Sequence, residues 1–116
     1  EMTLQQCCDL VKDMFQLDNV KVFGDVNQMV KRVAISPGSG KGMADVALEK
    51  RAEVLVTGDI SHHEGIDAVA QGIAIIDAGH YGLEHIFIED MVGFLSKHVT
   101  DTEIQRSKHV HPFRVI

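Results

Sequence analysis

The chain has 116 residues, of which 45% are hydrophobic, so it is long enough for one hydrophobic core and too short for two domains. Seventeen acidic residues against eleven basic ones give a net charge of −6, which disfavours contacts with nucleic-acid phosphates. No apolar run reaches the roughly 18–20 residues that cross a bilayer, and no basic-then-apolar leader opens the chain. We therefore expect a cytoplasmic protein with no nucleic-acid partner and no membrane partner.

The only cysteines, Cys7 and Cys8, are adjacent in a helical pattern. This arrangement excludes both a disulfide framework and a cysteine-rich zinc site. We expect one buried thiol and one thiol near the surface.

Apolar spacing predicts the elements of the first half in chain order. A helix runs from Thr3 to Leu17, with Thr3 as its N-cap. Strands follow over residues 20–23 and 30–36, the second of them centred on an apolar core at 33–35. A glycine-rich segment then leads into a helix over residues 43–51.

The second half alternates strands and helices. Strands are predicted over residues 54–56 and 73–76, a helix from Ser61 to Gln71, a long helix over 80–98 and a final edge strand over 112–116. The two inner strands are continuously apolar, which is typical of a sheet covered on both faces. This order predicts an α/β fold with a mostly parallel sheet flanked by helices, as a single domain over residues 1–116.

Seven histidines all lie in the second half of the chain. Histidine is the commonest metal ligand and the usual general base, so the cluster indicates a site, with chance clustering as the alternative. Solvated or capping roles are expected for the four that lie away from the strand ends, which are His85, His98, His109 and His111.

Ligands of open α/β sheets bind where the carboxyl ends of the strands meet, and three such ends here carry polar sequence. The first is the segment 36–42, which fails as a Walker A loop because Ile35 and Gly42 occupy positions that need glycine and a hydroxyl residue. Its residues Gly38, Ser39 and Gly40 could still present backbone N–H groups to an anion. A plain tight turn is an equal alternative.

The second strand end is the segment 57–64. Asp59 leaves the strand and is a candidate acid or base, although N-capping the next helix is the commoner role for aspartate at such a junction. His62 and His63 are adjacent on that helix and diverge around it, so at most one of them is expected to face a site.

The third strand end is the segment 77–84, in which His80 and Glu84 lie four residues apart at the start of a helix. Their side chains share one helical face and could hold one cation. An imidazole with a carboxylate suits zinc, iron, manganese or cobalt. The alternative is an exposed helical His–Glu pair, and the position at a strand end favours the site. The apolar rows that follow, from Leu83 to Leu95, are predicted to face the core.

Four segments resemble, in the same order, the carboxyl-terminal half of the Nif-three-like family, namely residues 33–40, 52–63, 76–84 and 111–113. The family consists of dinuclear-metal-centre proteins that are often labelled homologues of a type 2 GTP cyclohydrolase I. The resemblance implies that this chain is one half of a duplicated, two-lobed fold and the carboxyl-terminal half of a longer chain.

The resemblance also implies a site with two divalent metal ions, whose ligands come from both halves. His80 and Glu84 match the ligands of this half, while an adjacent histidine pair and an acidic residue belong to the other. His63 matches a position that is usually histidine and lines the cleft, and Gly38–Gly40 match a segment that faces the site.

The function implied is a metal-binding domain with hydrolase-type chemistry on a small-molecule substrate. His63 and Asp59 are the catalytic candidates, Gly38, Ser39 and Gly40 the substrate-binding candidates. An isolated chain with two ligands is expected to bind metal weakly and to be inactive, since catalytic metals typically use about three protein ligands. The family likeness implies self-association, as a ring-shaped hexamer. The alternative is a non-enzymatic scaffold or regulatory interaction module.

Overall fold

A computed structural model describes all of residues 1–116. Six strands and five helices follow one another along the chain as β1 (Met2–Thr3), α1 (Leu4–Phe15), β2 (Lys21–Phe23), β3 (Met29–Val30), β4 (Val33–Ile35), α2 (Met43–Glu49), β5 (Val54–Thr57), α3 (His62–Ala70), β6 (Ala74–Asp77), α4 (His80–Glu84) and α5 (Phe87–His98).

The main sheet has four strands in the order β2-β6-β5-β4. Strands β4, β5 and β6 are parallel, and β2 pairs with β6 in the antiparallel direction. Strands β1 and β3 form a separate antiparallel ribbon. The predicted α/β fold with a mostly parallel sheet flanked by helices is confirmed.

Helices cover both faces of the main sheet, as the continuously apolar strands predict. One face packs against α1, and the opposite face packs against α2 and α3. The buried residues of the first face are Leu4, Cys7, Cys8, Val11, Val30, Val54, Val56, Ala74, Ile76, Ala78 and Leu83. Those of the second are Ala47, Ala52, Leu55, Ile60, Ala68, Ile73 and Ile75. Neighbouring strand residues alternate between the two sets, because successive side chains of a strand point to opposite faces.

Helix α1 begins at the predicted cap. Thr3 accepts a hydrogen bond from the backbone N–H of Gln6, whose side chain accepts one from the backbone of Thr3 in return. The expectation of one surface thiol is wrong, because Cys7 and Cys8 are 3% and 4% exposed. The apolar side of α1 is broad enough for two adjacent residues to face the sheet. Burial raises the pKa of both thiols.

The strand predicted over residues 30–36 is two strands in two different sheets. Val30 pairs with β1, whereas Val33–Ile35 pair with β5. The carboxylate of Glu53 holds the connection between them by accepting hydrogen bonds from the backbone N–H groups of Lys31 and Arg32. These two bonds lower the pKa of the Glu53 carboxyl group.

The long helix predicted over residues 80–98 is also two elements. Helices α4 and α5 are separated by His85 and Ile86, and α5 contains no buried residue. Phe87 and Phe94 are 62% and 53% exposed, so the prediction that the apolar rows of this segment face the core is wrong beyond α4. The radius of gyration is 16.1 Å, against about 13 Å for a compact chain of this length. Helix α5, which has no buried residue, therefore forms no part of the core.

Residues 99–116 contain neither helix nor strand, so the edge strand predicted over 112–116 is absent. Its apolar residues Phe113, Val115 and Ile116 are all exposed and have no strand to pair with. None of the five helices has both the length and the apolar character required to span a membrane.

Candidate metal centre at the strand ends

Three loops meet at the carboxyl ends of β4, β5 and β6, and Gly58 lies where they touch. A Cβ atom added to Gly58 would stand 2.5 Å from the carbonyl carbon of Gly79, 2.6 Å from the backbone nitrogen of His80 and 2.7 Å from the carbonyl oxygen of Gly38. All three neighbours are backbone atoms, which cannot rotate away as a side chain can. Only glycine therefore fits here, and its absence of a side chain brings the three candidate segments together.

Gly40 closes the first loop over the end of β5. It has a φ of +56°, and a Cβ atom added to it would collide with the hydroxyl oxygen of Thr57. The Thr57 hydroxyl is buried and has no hydrogen-bond partner. Gly40 therefore packs down on the sheet and does not face the cleft.

Asp77, at the end of β6, organises the other two loops. Its side chain is 5% exposed. Oδ1 accepts hydrogen bonds from the backbone N–H groups of Asp59 (2.9 Å) and Gly79 (3.0 Å). Oδ2 accepts one from the N–H of Ile60 (3.0 Å) and lies 2.8 Å from Nζ of Lys21. A buried carboxylate needs such partners, and the three backbone N–H groups among them are held on both sides of the site.

Sequence reasoning overlooked Asp77 as a functional residue. A signal was present, because a carboxylate that closes a continuously apolar strand must be buried and paired. The partners were not visible in the sequence, since the backbone donors lie 17 and 18 residues away along the chain, on the loop after the neighbouring strand.

His80 lies between two carboxylates. Its Nδ1 is 3.2 Å from Oδ2 of Asp59, and its Nε2 is 3.3 Å from Oε2 of Glu84. The backbone N–H of His80 also donates to Oδ1 of Asp59 at 3.3 Å. All three side chains are about half exposed. The pair predicted from the four-residue spacing is therefore in contact, and Asp59 completes a row of three groups.

Asp59 is not the N-cap of α3. Ser61 has that role, because its hydroxyl accepts from the backbone N–H of Glu64 and the Glu64 carboxylate accepts from the backbone N–H of Ser61. Asp59 has a φ of 54°, a left-handed conformation that aspartate tolerates better than most residues. Its carboxylate is free of the capping role and contacts His80.

Gly38 faces the His80–Glu84 pair. A Cβ atom added to it would lie 3.5 Å from Oε1 of Glu84 and 3.7 Å from Cε1 of His80. Its φ of +79° is a conformation that favours glycine. Ser39 is exposed, and no hydrogen bond occupies its hydroxyl group. Of the three glycine-loop candidates, Gly38 is thus adjacent to the pair, Ser39 is at the surface and Gly40 is on the sheet side.

His63 stands apart from this group. It is exposed in the first turn of α3, and its ring lies 5.4 Å from that of His62. No hydrogen bond or ion pair joins it to Asp59, His80 or Glu84. The structure thus brings together Asp59, His80, Glu84 and Gly38, but not His63.

A second group of aromatic rings lies behind α4. His85 is 9% exposed, and its Nε2 donates to the carbonyl oxygen of Phe15 at 2.6 Å, so it caps the carboxyl end of α1. The ring of His109 stacks on that of His85 at 4.1 Å. Burial lowers the pKa of His109, and the neighbouring His85 and His111 lower it further.

This second group fastens the carboxyl-terminal segment to α4. The backbone N–H of Val110 donates to the hydroxyl oxygen of Tyr81 at 3.2 Å, and the rings of His109 and His111 lie 5.4 Å and 5.9 Å from that of Tyr81. The stacked rings of His85 and His109 are 19° from parallel, so their nitrogen atoms do not converge on a common point. Across residues 1–116, no three histidine, cysteine or acidic side chains are grouped so as to hold a metal ion.

A family model described as Duf34/NIF3 (NGG1p interacting factor 3) matches residues 1–112. The chain belongs to this family. The resemblance found from the motif segments is therefore confirmed over nearly the whole chain.

Individual Duf34/NIF3 relatives are longer than this chain. A protein of Staphylococcus aureus named GTP cyclohydrolase 1 type 2 homolog is 38% identical over 95 residues, which are 82% of this chain and 26% of that protein. A crystal structure of a hypothetical protein from the same species is 31% identical, with a TM-score of 0.83 over 99% of this chain and 40% of its own. A Bacillus cereus protein related to NIF3 gives 28% identity and a TM-score of 0.84, covering 99% and 33%. The chain thus spans between a quarter and two fifths of these three relatives.

Proposed function

We propose that this chain is the metal-binding domain of a metal-dependent hydrolase, in which His80 and Glu84 supply two ligands to a divalent ion. The observation that carries the proposal is the distance of 3.3 Å between Nε2 of His80 and Oε2 of Glu84. Two atoms that each bind zinc at about 2.0–2.1 Å in a tetrahedral arrangement stand about 3.3 Å apart. The donor atoms are therefore already spaced for one ion.

The chemistry of the donors also supports the proposal. An imidazole nitrogen with a carboxylate oxygen suits zinc, iron, manganese or cobalt better than magnesium or calcium. Both side chains are about half exposed, so an ion reaches them without opening the core. A catalytic ion typically has about three protein ligands, so we propose that further ligands, and a second ion, belong to sequence that the longer relatives possess.

A divalent ion bound here would lower the pKa of a water molecule and polarise the substrate. We assign the substrate contacts to Gly38 and Ser39, in the loop that Gly40 closes over the sheet. Gly38 faces the ligand pair, Ser39 offers an unoccupied hydroxyl group, and Gly40 shapes the loop. We assign proton transfer to the exposed imidazole of His63. This role requires a substrate long enough to reach from His80 and Glu84 to the start of α3.

The name of the Staphylococcus aureus relative, GTP cyclohydrolase 1 type 2 homolog, makes a purine nucleotide the first small-molecule substrate to test. That choice rests on a relative's name, and the ligand geometry does not depend on it.

The test compares zinc affinity and GTP ring opening in the full-length protein and in its Glu84→Ala variant. We expect the substitution to weaken zinc binding by at least about tenfold, because it removes one of the ligand atoms. Glu89→Ala is the matched control, since Glu89 is an exposed carboxylate in the first turn of α5 and loses the same charge. Equal metal occupancy in the Glu84→Ala variant and the unmodified protein would refute the ligand assignment.

A second candidate function is an interaction module, and helix α5 favours it. No residue of α5 is buried, and its exposed Phe87 and Phe94 lie seven positions apart, on the same side of the helix. We propose a second copy of the chain as the partner for this side. In sedimentation velocity, Phe87→Ser with Phe94→Ser should reduce self-association, whereas His80→Ala with Glu84→Ala should leave it unchanged. Self-association that survives the first pair of substitutions would exclude α5 as the contact.

A further inference from the structure

We infer that Asp59 is a positioning residue, which keeps the proton of the His80 ring on Nδ1 and leaves Nε2 available on the Glu84 side. The consequence for metal binding rests on the proposed function, whereas the effect of Asp59 on the position of the His80 ring proton is independent of it.

One carboxylate holds two parts of the same residue. Oδ1 of Asp59 accepts a hydrogen bond from the backbone N–H of His80, and Oδ2 lies 3.2 Å from the ring Nδ1. Because backbone and ring are both held by Asp59, the direction in which the ring points is constrained. A carboxylate beside a ring nitrogen favours a proton on that nitrogen, since it can only accept. Glu84 acts in the same way on Nε2, but a metal ion bound by Nε2 and Glu84 would leave the ring proton on Nδ1, beside Asp59.

Asp59 is itself fixed by the sheet. Its backbone N–H donates to the buried Asp77 carboxylate, which also accepts from the N–H of Gly79, directly before His80. Asp59 has a left-handed backbone conformation, and its side chain contacts His80 and not the start of α3. A chain of contacts thus runs from the buried end of β6 to the half-exposed ring.

Two other roles for Asp59 fit the geometry less well. The N-cap role belongs to Ser61. A direct ligand role beside Glu84 would require both carboxylates on one side of the ring, but they contact opposite nitrogens of His80. A metal-binding histidine almost always donates its second N–H to such an acceptor, and removing the acceptor typically costs about 10–100-fold in metal affinity.

The test uses Asp59→Gly, because glycine tolerates the left-handed backbone that alanine would strain. Asp67→Ala is the matched control, since Asp67 is an exposed residue of α3 whose carboxylate forms no hydrogen bond or ion pair, and the substitution removes the same charge. Asp59→Asn is a second variant that retains the side-chain shape and also tolerates this conformation.

The first measurement is nitrogen-15 NMR of the neutral His80 ring in metal-free protein that carries Glu84→Ala. That background removes the competing carboxylate beside Nε2. We expect a predominantly Nδ1-protonated ring with Asp59 present and a shift toward Nε2 protonation when Asp59→Gly is added. The same tautomer in both proteins would overturn the inference, whatever their metal affinity.

The second measurement is zinc affinity by competition with a chromophoric chelator, with Glu84 intact. We expect Asp59→Gly to bind zinc about 10–100-fold more weakly than the Asp67→Ala control. Equal affinity in these two proteins would overturn the positioning role in metal binding. If the unmodified protein bound zinc no better than its Glu84→Ala variant, the proposed function would fail instead, and the NMR comparison would still decide the role of Asp59.

Discussion

Replacing Asp77 by asparagine tests whether its carboxylate holds the strand-end loops in place. An asparagine oxygen can replace Oδ1 and still accept from Asp59 and Gly79. Its NH₂ group would then face the N–H of Ile60 and the ammonium group of Lys21, which are both donors. Two of the four contacts are lost, and the buried N–H of Ile60 is left without an acceptor.

The expected cost follows from these contacts. A hydrogen bond to a charged group contributes about 1.5–3 kcal/mol, and an unsatisfied buried donor costs about 1–3 kcal/mol. The Lys21 side chain is 55% exposed, so the ion pair is counted only at about 0–1 kcal/mol, as for surface pairs. The contributions overlap, and we expect Asp77→Asn to lower the free energy of unfolding by about 2–4 kcal/mol. At about 4 °C per kcal/mol for a chain of this size, the melting temperature should fall by about 8–16 °C.

Urea denaturation followed by circular dichroism measures this change. Asp67→Asn, the same replacement at an exposed position of α3, is the control. Lys21→Met removes the ion pair together with the hydrogen bond from Nζ to the carbonyl oxygen of Ile60 (3.1 Å), and keeps the backbone contacts of Asp77, at an expected cost of about 1 kcal/mol. The reasoning is refuted if Asp77→Asn is within about 0.5 kcal/mol of the Asp67→Asn control, the usual range of neutral surface changes. A Lys21→Met cost as large as that of Asp77→Asn would show that the contacts of Lys21, and not the backbone hydrogen bonds of the loops, supply the stability.

Two further predictions concern stability. Gly58→Ala should lower the free energy of unfolding by about 1–3 kcal/mol, because the added methyl group meets backbone atoms of the two neighbouring loops. Gly93→Ala, whose added methyl group meets no atom within 4 Å, should not be destabilising in the same urea titration. The pKa of Glu53 is lowered in the folded protein, so its contribution to stability is present above the usual carboxyl pKa and is lost as the pH falls through the folded value. Glu53→Gln should therefore be less stable near neutral pH and lose less stability in acid, in melting curves recorded from about pH 7 to pH 3 with Glu49→Gln as control. Parallel pH profiles for Glu53→Gln and the unmodified protein would contradict this explanation.

The sheet could be predicted from sequence because its signals are local. The apolar runs ending at Val56 and Ile76 contain no polar interruption, which is what burial on both faces requires. The capping role of Thr3 and the contact of His80 with Glu84 depend on residues three and four positions apart, so helical geometry alone predicts them.

The features of the fold and the site that could not be predicted depend on contacts between residues far apart in the chain. The connection between β3 and β4 is held by Glu53, more than 20 residues away, and nothing near Lys31 indicates it. Helix α4 ends just before His85, and the ring of His85 donates to the carbonyl oxygen of Phe15, which lies 70 residues earlier in the chain. The role of Asp59 was open for the same reason, since its contact with His80 depends on how β5 and β6 pair.

The two buried cysteines have a practical consequence for spectroscopy. Cys7 and Cys8 are the only thiols, both are buried, and burial raises the pKa of each, so neither forms a reactive thiolate readily in the folded protein. The surface of the native protein thus carries no reactive thiol. A cysteine introduced at the exposed Ser39 would take up a maleimide dye selectively, and its fluorescence would report directly on ligands that approach the glycine loop.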